Sequence, residues 1–158
     1  MVTQEQTNII LAEIDEVLGT LDGRDAAIQA AMRLIAKHLP HYNWVGVYLL
    51  DGGVLHLGPY VGAATEHSLI PVGRGVCGTA VAENRNMVID DVRTLGNYLA
   101  CSLETRSEIV VLIRDINTNQ ILGQIDADGH TVGAFDASDE QLLGQIATRL
   151  AYRLMDAS

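Results

Sequence analysis

Two cysteines and three acidic residues carry the chemistry this sequence can support. Cys77 sits in "IPVGRGVCGTAVAEN", after two glycines that flank Arg74 and before a run of helical character. Cys101 follows 24 residues later, in "YLACSLETRSE". That spacing is neither a CxxC redox pair nor a zinc pattern. Free backbone N–H groups at a helix start would favour a thiolate at Cys77. The alternative is a small side chain that lets a helix lie against a sheet. Cys101 falls in a segment without a clear period, where packing demands little and access is good, so it is the better nucleophile candidate.

The acids come from two strand-like runs. Glu108 opens "EIVVLI", and Asp126 and Asp128 close "QILGQIDAD" at positions i and i+2. Side chains two apart on a strand share a face. On a buried face, mutual repulsion and desolvation would raise at least one pKa and leave a proton donor near neutral pH. The alternative is a solvated strand end, although Ile121, Leu122 and Ile125 suggest a strand that reaches the core. Trp44, the only tryptophan, either walls a pocket or fills core space. The histidines show no HxxxH or HxH spacing, and the glycines form no Walker or Rossmann fingerprint. No metal or cofactor is expected.

Around these residues the elements read α-α-β-β-β-α-β-loop-β-β-α. Ile10, Ile14, Val17 and Leu21 recur at helical spacing. Asp25 is expected to cap a second helix over Ala26 to about Leu39, which Pro40 stops. "NWVGVYLLDGGVLHLGPY" reads as a hairpin turning at Asp51-Gly52-Gly53. A helix begins near Gly75, "NMVIDDV" is a strand, and "INTN" turns a second hairpin. The last helix shows a capping box, Ser138 with Gln141, ahead of Leu142, Leu143, Ile146, Leu150 and Leu154. Hairpins outnumber crossovers, which predicts one α+β domain over residues 1–158 with a mostly antiparallel sheet flanked by N- and C-terminal helices. Those terminal helices either cover a sheet face or pair with a second copy.

Composition narrows the partners. The chain has 158 residues, 48% of them hydrophobic, and a formal net charge of −10 with Lys37 as its one lysine. So acidic a surface repels phosphate backbones and anionic lipids, which excludes nucleic acid and membranes as partners. Two cysteines and no secretory signal at the start predict a reducing, cytoplasmic setting.

Taken together, "NWVGVYLL", "LHLGPY", "IPVGRGVCGTAVAEN", "IDDV", "YLAC" before "SEIVV", and "DAD" resemble the free methionine-(R)-sulfoxide reductases, small proteins of the GAF fold. The resemblance runs from about Trp44 to Gln141. It implies a GAF domain in which Cys101 attacks and Cys77 is a second family cysteine. It implies that Glu108, Asp126 and Asp128 line the substrate pocket, and that Trp44 and Tyr48 contact the substrate. The implied partners are free methionine sulfoxide, thioredoxin or a similar dithiol, and a second copy in a homodimer.

In the implied reaction an acid protonates the sulfoxide oxygen, the Cys101 thiolate attacks sulfur, and methionine departs. A second thiol condenses with the resulting sulfenic acid, and a dithiol reduces the disulfide. The chain departs from the pattern at His67, where three-cysteine members carry another cysteine that often resolves. Cys77 or an outside thiol must then do so. Leu112 stands where many relatives have proline, and "INTN" lengthens a hairpin. A GAF sensor that binds a small molecule without turnover, or a thiol redox sensor using Cys77 and Cys101, are the competing readings.

Overall fold

The computed structural model describes residues 1–96, 98 and 103–155. Two helices, α1 (Gln4–Thr20) and α2 (Arg24–His38), lead into a hairpin of β1 (Trp44–Asp51) and β2 (Val54–Val61). A short strand β3 (Leu69–Pro71) precedes α3 (Gly75–Glu83) and β4 (Met87–Ile89). After a 3-10 turn at Val92–Thr94 come β5 (Ser107–Arg114), β6 (Ile121–Gly129) and α4 (Ala137–Met155). The strands form one sheet in the order β3-β2-β1-β6-β5-β4, every pairing antiparallel. Element order, class and both hairpins match the expectation from sequence.

The sheet has two unlike faces, set by the period of two along its strands. Val45, Val47, Ile109, Val111, Ile113, Ile125 and Ala127 point to one side. There they pack against Ile10 and Ile14 of α1, Met32 and Ile35 of α2, and Leu142, Leu143 and Ile146 of α4. This is the larger core, so α1 and α4 spend their apolar stripes on their own sheet. On the other side, Trp44, Tyr48, Val110 and Leu112 meet Val76, Cys77 and Ala80 of α3. The acids lie on this second face.

Local chemistry explains the boundaries that sequence reading misplaced. Gly23, not Asp25, stands at the N-cap of α2, and Asp25 falls in the first turn, where its charge suits the positive end of the helix. The box on α4 is Asp136 with Asp139, not Ser138 with Gln141. Asp136 Oδ1 accepts from the backbone N–H of Ser138 at 2.9 Å and of Asp139 at 3.3 Å. Asp139 Oδ2 accepts in return from the Asp136 N–H at 2.9 Å. The Ser138 hydroxyl instead donates to Asp136 and accepts from the Val2 N–H. Buried Asp139 also accepts from the Tyr42 hydroxyl at 2.8 Å and meets His41 Nε2 at 2.7 Å, so the link between α2 and β1 is tied to α4.

Leu112 in place of proline has a use. Its N–H donates to Asn86 Oδ1 at 2.9 Å, a bond that proline cannot make. The lengthened "INTN" turn closes on Asp115, whose Oδ1 accepts from the N–H groups of Asn117 and Thr118, with Asn119 left-handed at φ 64°.

The Asp136 cap yields a test. Hydrogen bonds from Ser138 hold the Asp136 carboxyl below the usual carboxylate range. A depressed folded pKa contributes stability above the unfolded value that is lost as pH falls through the folded one. Asp136→Ala is expected to lower the unfolding free energy by about 1 kcal/mol at neutral pH, with the loss fading in acid. Urea denaturation across pH measures this.

Candidate active site

Strand register assembles the acids. Trp44 of β1 pairs with Asp128 of β6, and Asp128 pairs with Glu108 of β5, so these three residues form one row across the sheet. Gly46, Asp126 and Val110 form the next row, and Tyr48, Gln124 and Leu112 the one after. Helix α3 lies above this face and lowers Cys77, the third residue of its first turn, onto the acids. The Cys77 thiol donates to Glu108 Oε2 at 3.7 Å. Donor atoms of Cys77, Glu108 and Asp126 all fall within 4.8 Å of one another.

None of this is solvated. Glu108 is 3% exposed, Asp126 0%, Asp128 1% and Cys77 5%. The carboxylates are therefore not at a solvated strand end, and the expectation of a strand reaching into the core holds. Burial first, and then the charges of Asp126 and Asp128, push the Glu108 carboxyl well above its ordinary range. Burial also raises Asp126. Hydrogen bonds with Glu108 and Cys77 pull the other way on Asp126, whose oxygens are otherwise shut away from water and carry a desolvation penalty when ionised.

Aromatic rings wall the same face. Trp44 stacks on Tyr60 with centroids 5.3 Å apart and planes 19° apart, and its Nε1 donates to the Ala63 carbonyl at 3.0 Å. Tyr48 is fully buried and donates its hydroxyl to the His67 carbonyl at 2.9 Å. Both aromatics thus hold the backbone between β2 and β3 over the site while filling core space. Gly46 makes room for them. A Cβ there would stand 2.5 Å from the Tyr60 Cβ and 2.7 Å from Trp44 Cη2. Gly78 has a similar task, since its Cβ would stand 2.5 Å from the Pro71 carbonyl oxygen. Its absence lets α3 settle against the end of β3.

A narrow pocket lined by His67, Ile70, Arg74, Val76, Cys77 and Glu108 leads to the acids. It leaves about 10 Å³ for water centres, enough for one water, so a larger molecule enters only as its walls part. Glu108 is the carboxylate that lines it, with Asp126 and Asp128 outside its lining. A roomier groove of about 450 Å³ runs along α3 past Thr79, Glu83, Met87 and Leu95, and none of the buried acids lines it.

The structure therefore brings together Cys77, Glu108, Asp126, Asp128, Trp44 and Tyr48 on one sheet face. Cys101 lies outside the described residues. Tyr60, Gln124 and Arg74 were not anticipated. Gln124 donates to the Cys77 carbonyl at 3.1 Å, and its place two residues before Asp126 on one strand face was a readable signal. Tyr60 reaches Trp44 only through a register shift between Gly46 and Tyr48, which sequence did not reveal.

Comparison with known proteins places the chain in a family. The GAF domain family model matches residues 23–154. Free methionine-R-sulfoxide reductase of Escherichia coli is 39% identical over 143 residues, 90% of this chain and 81% of that one. This chain belongs to the free methionine-R-sulfoxide reductase family of GAF-domain proteins. Among solved structures, the type II free methionine-R-sulfoxide reductase of Thermoplasma acidophilum is 37% identical with a TM-score of 0.80, over 84% of this chain and 93% of that one. The Neisseria meningitidis enzyme in complex with its substrate is 31% identical with a TM-score of 0.88, over 96% and 89% of the two chains.

Two outcomes test this site as a physical object. A raised carboxyl pKa means stability that is full at low pH and lost as pH climbs through the folded value. Glu108→Gln is therefore expected to become more stable relative to wild type as pH rises, by about 1.4 kcal/mol for each unit by which folding raises the pKa. Thermal unfolding across pH reads this. Gly46→Ala is expected to destabilise the protein by about 1–3 kcal/mol through overpacking and to shift tryptophan fluorescence.

Proposed function

We propose that this chain reduces free L-methionine (R)-sulfoxide to methionine by thiol chemistry, with Cys101 as nucleophile and Glu108 as proton donor. The observation that carries the reading is Glu108: a buried carboxyl that lines the pocket beside the Cys77 thiol, with burial and the neighbouring Asp126 and Asp128 favouring its protonated form. A sulfoxide oxygen is a poor leaving group until protonated, and an acid whose pKa approaches the working pH serves that step best. The family membership supports the same reaction.

The steps balance as follows. The Cys101 thiolate attacks sulfur as Glu108 protonates the oxygen. The oxygen passes to Cys101 as a sulfenic acid, and methionine leaves. A thiol then displaces the hydroxyl as water and forms a disulfide, which an external dithiol reduces. Burial of Cys77 and its bond to Glu108 favour an outside thiol for the second step, with Cys77 holding the acid in place. The reading further includes a thioredoxin-like reductant and a cytoplasmic setting. It also includes a homodimer, for which the exposed Ile9 and Tyr152 offer apolar surface on α1 and α4. Trp44 and Tyr48 would confine the substrate's methyl and methylene groups.

A reductase assay coupled through thioredoxin to NADPH, run on the free R and S epimers, tests this. Wild type is expected to consume the R epimer. Cys101→Ser is expected to abolish turnover, and Glu108→Gln to lower kcat by about 10²–10⁴-fold with little change in KM. Cys77→Ser is expected to complete a first turnover. No consumption of either epimer by wild type would defeat the reading in favour of a GAF module that only binds.

A further inference from the structure

We propose that Arg74 anchors the α-carboxylate of the substrate and so selects a free amino acid, an inference that rests on the reductase reading above. The buried acids suit the ammonium group and the sulfoxide oxygen, but they repel a carboxylate. A free amino acid brings one, three carbons from its sulfur, and the site needs a cation for it.

Arg74 occupies that position. It lines the pocket that ends at Glu108 and Cys77. It is the N-cap residue of α3, and its side chain makes no capping bond. Its backbone is fixed at both ends, the N–H to the Pro71 carbonyl at 3.1 Å and the carbonyl to the Gly78 N–H at 2.9 Å. The side chain is exposed and meets no acceptor among the described residues.

Among the described residues, the arginines that follow it up to Arg114 all have acceptors. Arg85 pairs with Glu83 and Arg93 with Asp91, while Arg106 donates to the carbonyls of Leu103 and Thr105 and Arg114 to those of Asn84 and Asn119. In a chain of net charge −10, a guanidinium with no acidic partner among the described residues, at the mouth of an acid-floored pocket, has the charge and the bidentate geometry a carboxylate needs. The nearby N-terminus of α3 adds a favourable field for an anion. The floor thus offers carboxyl oxygens that accept from an ammonium and the mouth a cation for a carboxylate, the pattern of a zwitterion. A methionine sulfoxide within a peptide carries neither charge.

The test compares free L-methionine (R)-sulfoxide with its carboxamide, which keeps the ammonium and loses the carboxylate. It uses wild type, Arg74→Ala, Arg74→Lys, and Arg85→Ala as a control. Wild type is expected to show a KM for the carboxamide about 10- to 100-fold above that for the free acid. Arg74→Ala is expected to raise KM for the free acid by the same factor, leave that for the carboxamide unchanged, and change kcat by less than about twofold. Arg74→Lys recovers part of the difference, and Arg85→Ala matches wild type. Equal effects of Arg74→Ala on both compounds, or none on either, would overturn the proposal. If wild type turns over neither compound, the reductase reading fails, and calorimetric affinities of the same compounds and variants still decide on Arg74. A preference for the free acid that Arg74→Ala erases supports the anchor, and its absence, or no binding, overturns it.

Discussion

Glu108 and Asp128 face each other across β5 and β6 with Asp126 one row away, and water reaches none of them. Three carboxylates so placed cannot all be ionised, because each pays for desolvation and repels the others. Protons must stay on the group, and the structure decides which member presents one. Glu108 is the member that lines the pocket and receives the Cys77 thiol, which is why the proposed reaction makes it the proton donor. Under the proposed reaction the aspartates would act through it.

Such a cluster weakens the fold that holds it, and the two-faced sheet offsets the loss. One face carries an apolar core with three helices. The other face is free to hold groups chosen for reactivity, under one short helix and the link between β2 and β3. Two tight spots, Gly46 beneath two aromatic rings and Gly78 against Pro71, occur on this second face. There the backbone of one element must approach another closely enough to seal the acids from water.

Much of this was legible in the sequence, for identifiable reasons. The period of two along "QILGQIDAD" placed Asp126 and Asp128 on one face, and the residues before them pointed that face inward. Both hairpins followed from their turn residues. Other features depend on relations no local pattern carries. The meeting of Glu108 with Asp128 needs the register of β5 on β6, and the Trp44–Tyr60 stack needs an irregularity between β1 and β2. The α4 cap went to Asp136 because Asp139, buried for its bonds to His41 and Tyr42, answers it at the right spacing. Arg74 gave no signal, since its distinction, the lack of an acceptor among the described residues, is a relation in space.

The protonation of Glu108 is open to direct observation. With ¹³C-labelled glutamate carboxyls, an NMR pH titration with the Glu108→Gln variant for assignment follows this one group. The account predicts that Glu108 is still protonated at pH 7 and that its midpoint falls when Asp126 and Asp128 are both replaced by asparagine. A midpoint in the ordinary glutamate range, about 4.3, with no response to the aspartates, would contradict it.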